Sequence, residues 1–246
     1  MGLKAAPADQ ELLLELHDHD TQMQRLDHQL RTLPEHAQLS ALESEAQEVR
    51  RTAAEQLGQL EDAQAELGRV EADVAVVEAR MERDRGRLAS TSSVKDVQAL
   101  EQELAALDRR RDELEEIQLV VMERVDEHEN SLAATRAVLS ELDARIADTV
   151  AARDAGVESL ERERERVATD RATIAQRIPA ELLALYEKQR ARYGVGASHL
   201  RGGVSSASGV ALNANDLGAV RAAAPDEVLL CPDSNAILVR TAESGL

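Results

Sequence analysis

The chain has 246 residues, a formal net charge of −18, no Phe and no Trp, and its only aromatic side chains are Tyr186 and Tyr193. Aromatic residues bring the largest buried area per side chain. The composition therefore argues against an ordinary compact core, and the abundant Ala, Leu, Glu, Arg, Asp and Gln point instead to long paired helices. The acidity repels phosphate backbones and argues against a broad nucleic-acid interface, while the interleaved signs are those of a solvated helical surface.

In chain order, the N-terminal stretch MGLKAAPADQ lacks an apolar signal segment. A first apolar run follows, through Leu12, Leu16, His19, Met23, Leu26, Leu30 and Leu33, and predicts a helix over 9–33. Pro34 interrupts it by removing a helix donor and restricting the residue before it. Steps of alternately three and four residues from Leu39 then reach Leu88, and only Gln56 and Asp84 break the apolar seam. Ser90, Thr91, Ser92 and Ser93 interrupt the pattern; Ser93 is placed to cap a helix beginning at Val94.

A second seam runs from Leu100 to Ile146, with Arg111, Gln118, His128 and Thr135 at polar positions. His128 reads as a register-fixing polar residue. About 82 residues lie between Asp9 and Ser90 and about 85 between Val94 and Ile178, so two runs of nearly equal length flank the turn at 90–93 and the economical solution is an antiparallel hairpin. Its 36–90 arm would be roughly 80 Å long at about 1.5 Å per residue. The 9–33 helix should fold back against 150–178, where Leu160, Val167 and Ile174 recur every seven residues with Arg164 and Arg171 between them. That alternation predicts less regular packing. The hairpin domain is accordingly assigned to 1–178.

Pro179 suits the first turn of a short connecting helix over 179–193, with Leu182, Leu183, Leu185 and Tyr186 as its packing residues and Gly194 and Gly196 ending it. Composition then shifts to Gly, Ser, Ala and Asn, with a short helix near 214–223. Val228-Leu229-Leu230 and Ile237-Leu238-Val239 flank a turn at 231–235 and read as a β-hairpin. Residues 194–246 thus form a small β module, and the fold class is mainly α: a long antiparallel coiled-coil hairpin with a C-terminal ribbon-like module.

Two tetrapeptides in this module have the spacing of zinc knuckles, Ser205-x-x-Ser208 and Cys231-x-x-Ser234. With Lys95-Asp96-Val97-Gln98-Ala99-Leu100 after the hairpin turn, Ala184-Leu185-Tyr186, Gly202-Gly203-Val204, Pro225-Asp226-Glu227-Val228 and Ile237-Leu238-Val239-Arg240, the chain resembles a bacterial family. Its members are coiled-coil hairpins with a C-terminal four-cysteine zinc ribbon, and actinobacterial members are the nearest in pattern. The resemblance implies a zinc cofactor and binding of protein partners, since relatives are associated with alternative sigma factors and with flagellar or secretion machinery. Three of the four ligand positions here are serine, so zinc is expected to be absent, with no cofactor in its place. The module is then expected to hold by packing of Val204, Leu212, Leu217, Val228, Leu230, Ile237 and Val239.

No phosphate loop, His-Glu-x-x-His motif or nucleophile elbow occurs, and no enzymatic activity is expected. The leading functional expectation is a non-catalytic adaptor or scaffold for an unidentified protein; nucleic-acid binding through the ribbon-like module is the alternative. Lys188, Arg190, Arg192, Arg201, Arg221 and Arg240 gather near the module and are the partner-binding candidates, together with the turns at 205–209 and 232–235. Cys231 is the only cysteine, which matches a reducing cytoplasm, and no segment approaches the ~20 apolar residues of a membrane span. Because the hairpin satisfies its own seam, a monomer is expected.

Overall fold

The computed structural model describes residues 2–246. It is mainly α-helical, with a long antiparallel hairpin and a small C-terminal sheet. The helices are α1 (Pro7–Arg31), α2 (Pro34–Ser90), α3 (Val94–Ala175), α4 (Ala180–Tyr193) and α5 (Ala214–Ala222). The strands are β1 (Ala197–Arg201), β2 (Val204–Ser205), β3 (Leu229–Leu230) and β4 (Ile237–Val239), followed by a 3-10 turn at Ala242–Ser244. Both predicted breaks are present. Proline occupies the first turns of α1 and α2, where its missing N–H costs no intrahelical bond. At the hairpin turn the Thr91 hydroxyl accepts from the Ser93 N–H at 3.4 Å.

Two compact units are formed, Met1–Pro34 with Ala152–Leu246, and Glu35–Ala151. Residues on both sides of position 178 thus share a unit. In the Glu35–Ala151 unit, α2 and α3 pair along the seam that the heptad spacing marks. Leu60 and Ala63 pack with Val125 and Leu132, and Leu42 and Ala46 with Leu142. Two of the polar seam residues find a hydrogen-bond partner for one of their polar atoms. Gln56 donates to the Ser131 hydroxyl at 2.8 Å, and buried Asp84 accepts from Arg87 at 3.2 Å. His128 is half-buried. Ion pairs tie the arms across the seam, Arg50 to Asp143 at 2.7 Å and Arg124 to Glu66 at 3.0 Å.

In the other unit, α1 lies antiparallel to the end of α3. Gln22 donates to Glu163 at 3.1 Å, Arg164 to Asp27 at 2.6 Å and Arg171 to Asp20 at 2.6 Å. Val167 and Ile174 are buried as their spacing predicts. The intervening arginines occupy seam positions by pairing with α1 carboxylates, which accounts for the irregular pattern.

The sheet has the order β2-β1-β4-β3. β1 runs parallel to β4, while β2 and β3 are antiparallel to their neighbours. β3 and β4 form the predicted hairpin, but its partnership with β1 is additional. One apolar cluster joins Leu13, Leu16, Ile178, Leu182, Tyr186, Ile237 and Val239 under the sheet. A second, comprising Leu200, Leu212, Val220, Cys231 and Leu238, packs α5 on its other face. The expected module core is therefore corrected at two positions: Val204 and Leu230 are 37% and 44% exposed, and Leu200 and Leu238 fill the interior. Side chains alternate between faces of a strand, and the short strands β2 and β3 turn those two outward.

Candidate functional site

Around Cys231, three of the four knuckle positions converge. Cys231 and Ser205 are fully buried. Burial raises the Cys231 thiol, but hydrogen bonds from the Ser205 and Ser234 hydroxyls, then from the Ser234 and Asp233 backbone N–H groups, outweigh it. The result lies below the ordinary thiol value. The turn at 231–235 supplies this arrangement: Asn235 adopts φ 58°, and its N–H bonds the Cys231 carbonyl at 2.9 Å. Ser205 Oγ also lies 2.7 Å from the buried Ser198 Oγ. The fourth position, Ser208, is half-buried, and its hydroxyl accepts from the Val210 N–H at 3.2 Å.

A zinc ion would meet one thiol and three neutral hydroxyls at these positions. Structural zinc is held by four Cys or His ligands, with thiols deprotonated, so this donor set does not fit it. Among the described residues, no group of three or more His, Cys, Asp or Glu is placed to hold a metal ion.

The six basic candidates divide sharply. Arg240 has its guanidinium inside the module. It donates to the carbonyls of Ala223 at 3.0 Å, Ala224 at 2.7 Å and Glu227 at 2.9 Å, holding the chain that leaves α5. Arg190 donates to Glu187 at 2.8 Å and lies 3.3 Å from Asp20. Arg201 pairs with Glu243 at 2.9 Å, with both side chains largely in solvent. Lys188, Arg192 and Arg221 are exposed and form no ion pair among the described residues. Arg192 stacks on Tyr193, its guanidinium carbon 5.2 Å from the ring centroid. Tyr193 is 41% exposed.

A buried polar centre that the sequence reading did not single out lies nearby. Asp20 is almost fully buried on α1 and accepts from Arg171 at 2.6 and 3.2 Å and from the Tyr186 hydroxyl at 2.6 Å. Arg171 also donates to Glu187 at 2.5 Å. Burial, then the Asp20 hydrogen bond, pushes the Tyr186 hydroxyl far above its ordinary value. The Asp20 hydrogen bond likewise raises Arg171, against the effect of burial. Each group here satisfies another, which is the pattern of a structural network. Its signal in the sequence is slight: stepping from Leu13 by three and four reaches Leu16 and Asp20, a carboxylate at an apolar position.

Comparison with known proteins agrees with this architecture. A family model described as the CT398-like coiled coil hairpin domain matches residues 16–194. The uncharacterized protein Rv2229c of Mycobacterium tuberculosis is 32% identical over 239 residues, covering 97% of this chain and 98% of that protein. A solved structure from Mycobacterium smegmatis is 34% identical with a TM-score of 0.87, over 97% of this chain and 100% of the other. CT398 from Chlamydia trachomatis shares the fold at 18% identity, with a TM-score of 0.64 over 94% and 97% of the two chains. The chain therefore belongs to the family of CT398-like coiled-coil hairpin proteins.

Proposed function

We propose that this protein is a non-catalytic adaptor that binds a protein partner through the exposed end of α4. The observation that carries the reading is the solvent-facing Arg192–Tyr193 stack. Arg and Tyr are over-represented among residues that anchor protein interfaces, because each combines apolar area with a polar end. Lys188 and Arg192 offer charge to carboxylates on the partner, an attraction confined to about 8 Å at physiological salt. Arg190 and Arg240 serve as internal supports in this reading, leaving Lys188, Arg192 and Tyr193 as the contact residues. The small module acts without zinc, its knuckle positions held by hydroxyl and thiol hydrogen bonds.

Affinity capture with the full chain from nuclease-treated lysate tests the assignment, with R192E and Y193A as comparators. One protein should be retained by the unaltered chain and reduced about tenfold or more by either substitution, while helicity is unchanged. Retention indifferent to both substitutions would reject this surface. Binding abolished by nuclease would instead favour the nucleic-acid reading.

A further inference from the structure

α3 carries a second heptad stripe that the hairpin does not cover. From Ile117, steps of three and four lead forward to Val120, Arg124 and Glu127 and back to Glu113 and Arg110. The same spacing continues to Ala99 in one direction and Val138 in the other, about 60 Å along the helix. Ile117 and Val120 are 43% and 60% exposed, and Val138 is exposed as well. They lie roughly 100° around the helix from the seam that contains Leu114, Val121 and Val125. On α2, Glu66 and Arg80 reach this side of the hairpin, bonding Arg124 and Glu103 respectively. Val76, 66% exposed, falls between them in the same alternation of threes and fours.

We propose that this stripe pairs with its counterpart on a second copy of the chain, antiparallel, about a two-fold axis between residues 118 and 119. The charge pattern selects that occupant. With the axis there, Ile117 faces Val120 of the other copy, Glu113 faces Arg124, and Arg110 faces Glu127; two-fold symmetry repeats each pairing. Farther out, Ala106 faces Ser131, Glu103, already paired with Arg80, faces Ala134, and Ala99 faces Val138, so no like charges meet towards either end.

The opposite flank of α3 also exposes apolar groups, Leu119 and Met122. The equivalent two-fold arrangement there sets Glu115 against Asp126 and Asp112 against Glu129. Like charges facing one another oppose association, so only the first flank is self-complementary. The present partners of its charges, Glu66 for Arg124 and Arg110 for Glu113, are exposed pairs. Such pairs contribute little and can be shared or exchanged as the second copy arrives.

Sedimentation equilibrium of the full chain, from micromolar to near-millimolar concentration, provides the test. The mass should rise with concentration from 26.8 kDa towards twice that value, and less steeply as salt screens the charges. E113R should weaken dimerisation about tenfold or more by placing two arginines together, and V120E should abolish it. The double variant E113R/R124E exchanges each pair and should restore association relative to E113R, with helicity by circular dichroism matching throughout. A single mass of one chain at every concentration would overturn the proposal. So would a dimer indifferent to E113R and V120E, or a double variant no better than E113R.

Discussion

Asp20 shows how a charged residue holds a place among apolar neighbours. Its two oxygens receive Arg171 and Tyr186, and Glu187 receives the other sides of Arg171 and Arg190. Asp20→Ala leaves the Arg171 charge with one carboxylate in a partly closed site and should cost about 3–5 kcal/mol in denaturant unfolding. Tyr186→Phe removes only a hydroxyl bonded to a charged acceptor, and a loss of about 1.5–3 kcal/mol is expected from the same measurement. Glu187 supplies a pH dependence. Burial raises its carboxyl, but hydrogen bonds from Arg171 and Arg190 draw it below the usual carboxylate range. The resulting stabilisation is fully present above the unfolded value of about 4.3 and is lost as pH falls through the folded value. The gap in melting temperature between the unaltered chain and Glu187→Gln should therefore be widest near neutrality and close on acidification. Little of this network was legible in advance. Tyr186 reads as a packing residue, and its hydroxyl partner lies 166 positions away.

Among the elements, the long helices were legible because a heptad seam repeats its signal every few residues. Leu42, Ala46 and Leu142 lie on predicted seams and are buried together. Leu142→Ala should cost about 2–5 kcal/mol by opening a cavity, and hydrogen exchange should quicken around it within the Glu35–Ala151 unit. The short strands carry no such repetition: two residues in β2 or β3 cannot establish a period, and the apolar Val204 and Leu230, which composition alone places inward, lie outward. The passage from α4 into β1 has its own steric demand. A Cβ added at Gly196 would lie 2.4 Å from the Tyr186 ring, closer than carbon atoms approach. Gly196→Ala should therefore destabilise the chain by about 1–3 kcal/mol through overpacking, and Tyr186→Phe should relieve none of it because the ring remains.

At the scale of the whole molecule, the two halves of the hairpin were foreseeable from the lengths of the runs flanking residues 90–93. The grouping of α1 with the C-terminal module was not, because it depends on contacts distant in sequence. Leu13 and Leu16 meet Ile237 and Val239 in one cluster, and the Ala5 N–H donates to the Asp226 carbonyl at 2.8 Å. The knuckle spacing was visible in four letters, whereas the convergence of Ser205, Ser234 and Cys231 required the folded chain. If the module folds without metal, a strong chelator should leave its melting temperature unchanged, and elemental analysis of the purified chain should find well under one zinc per molecule.

The placement of the two tyrosines has a practical corollary for optical spectroscopy. Both belong to the Ala152–Leu246 portion, and the Glu35–Ala151 unit has no aromatic residue. Intrinsic emission and near-ultraviolet signals therefore watch one unit alone, whereas amide ellipticity is dominated by helices in both. Melting curves that disagree between these probes would report which unit each can see, before they report any partly folded species.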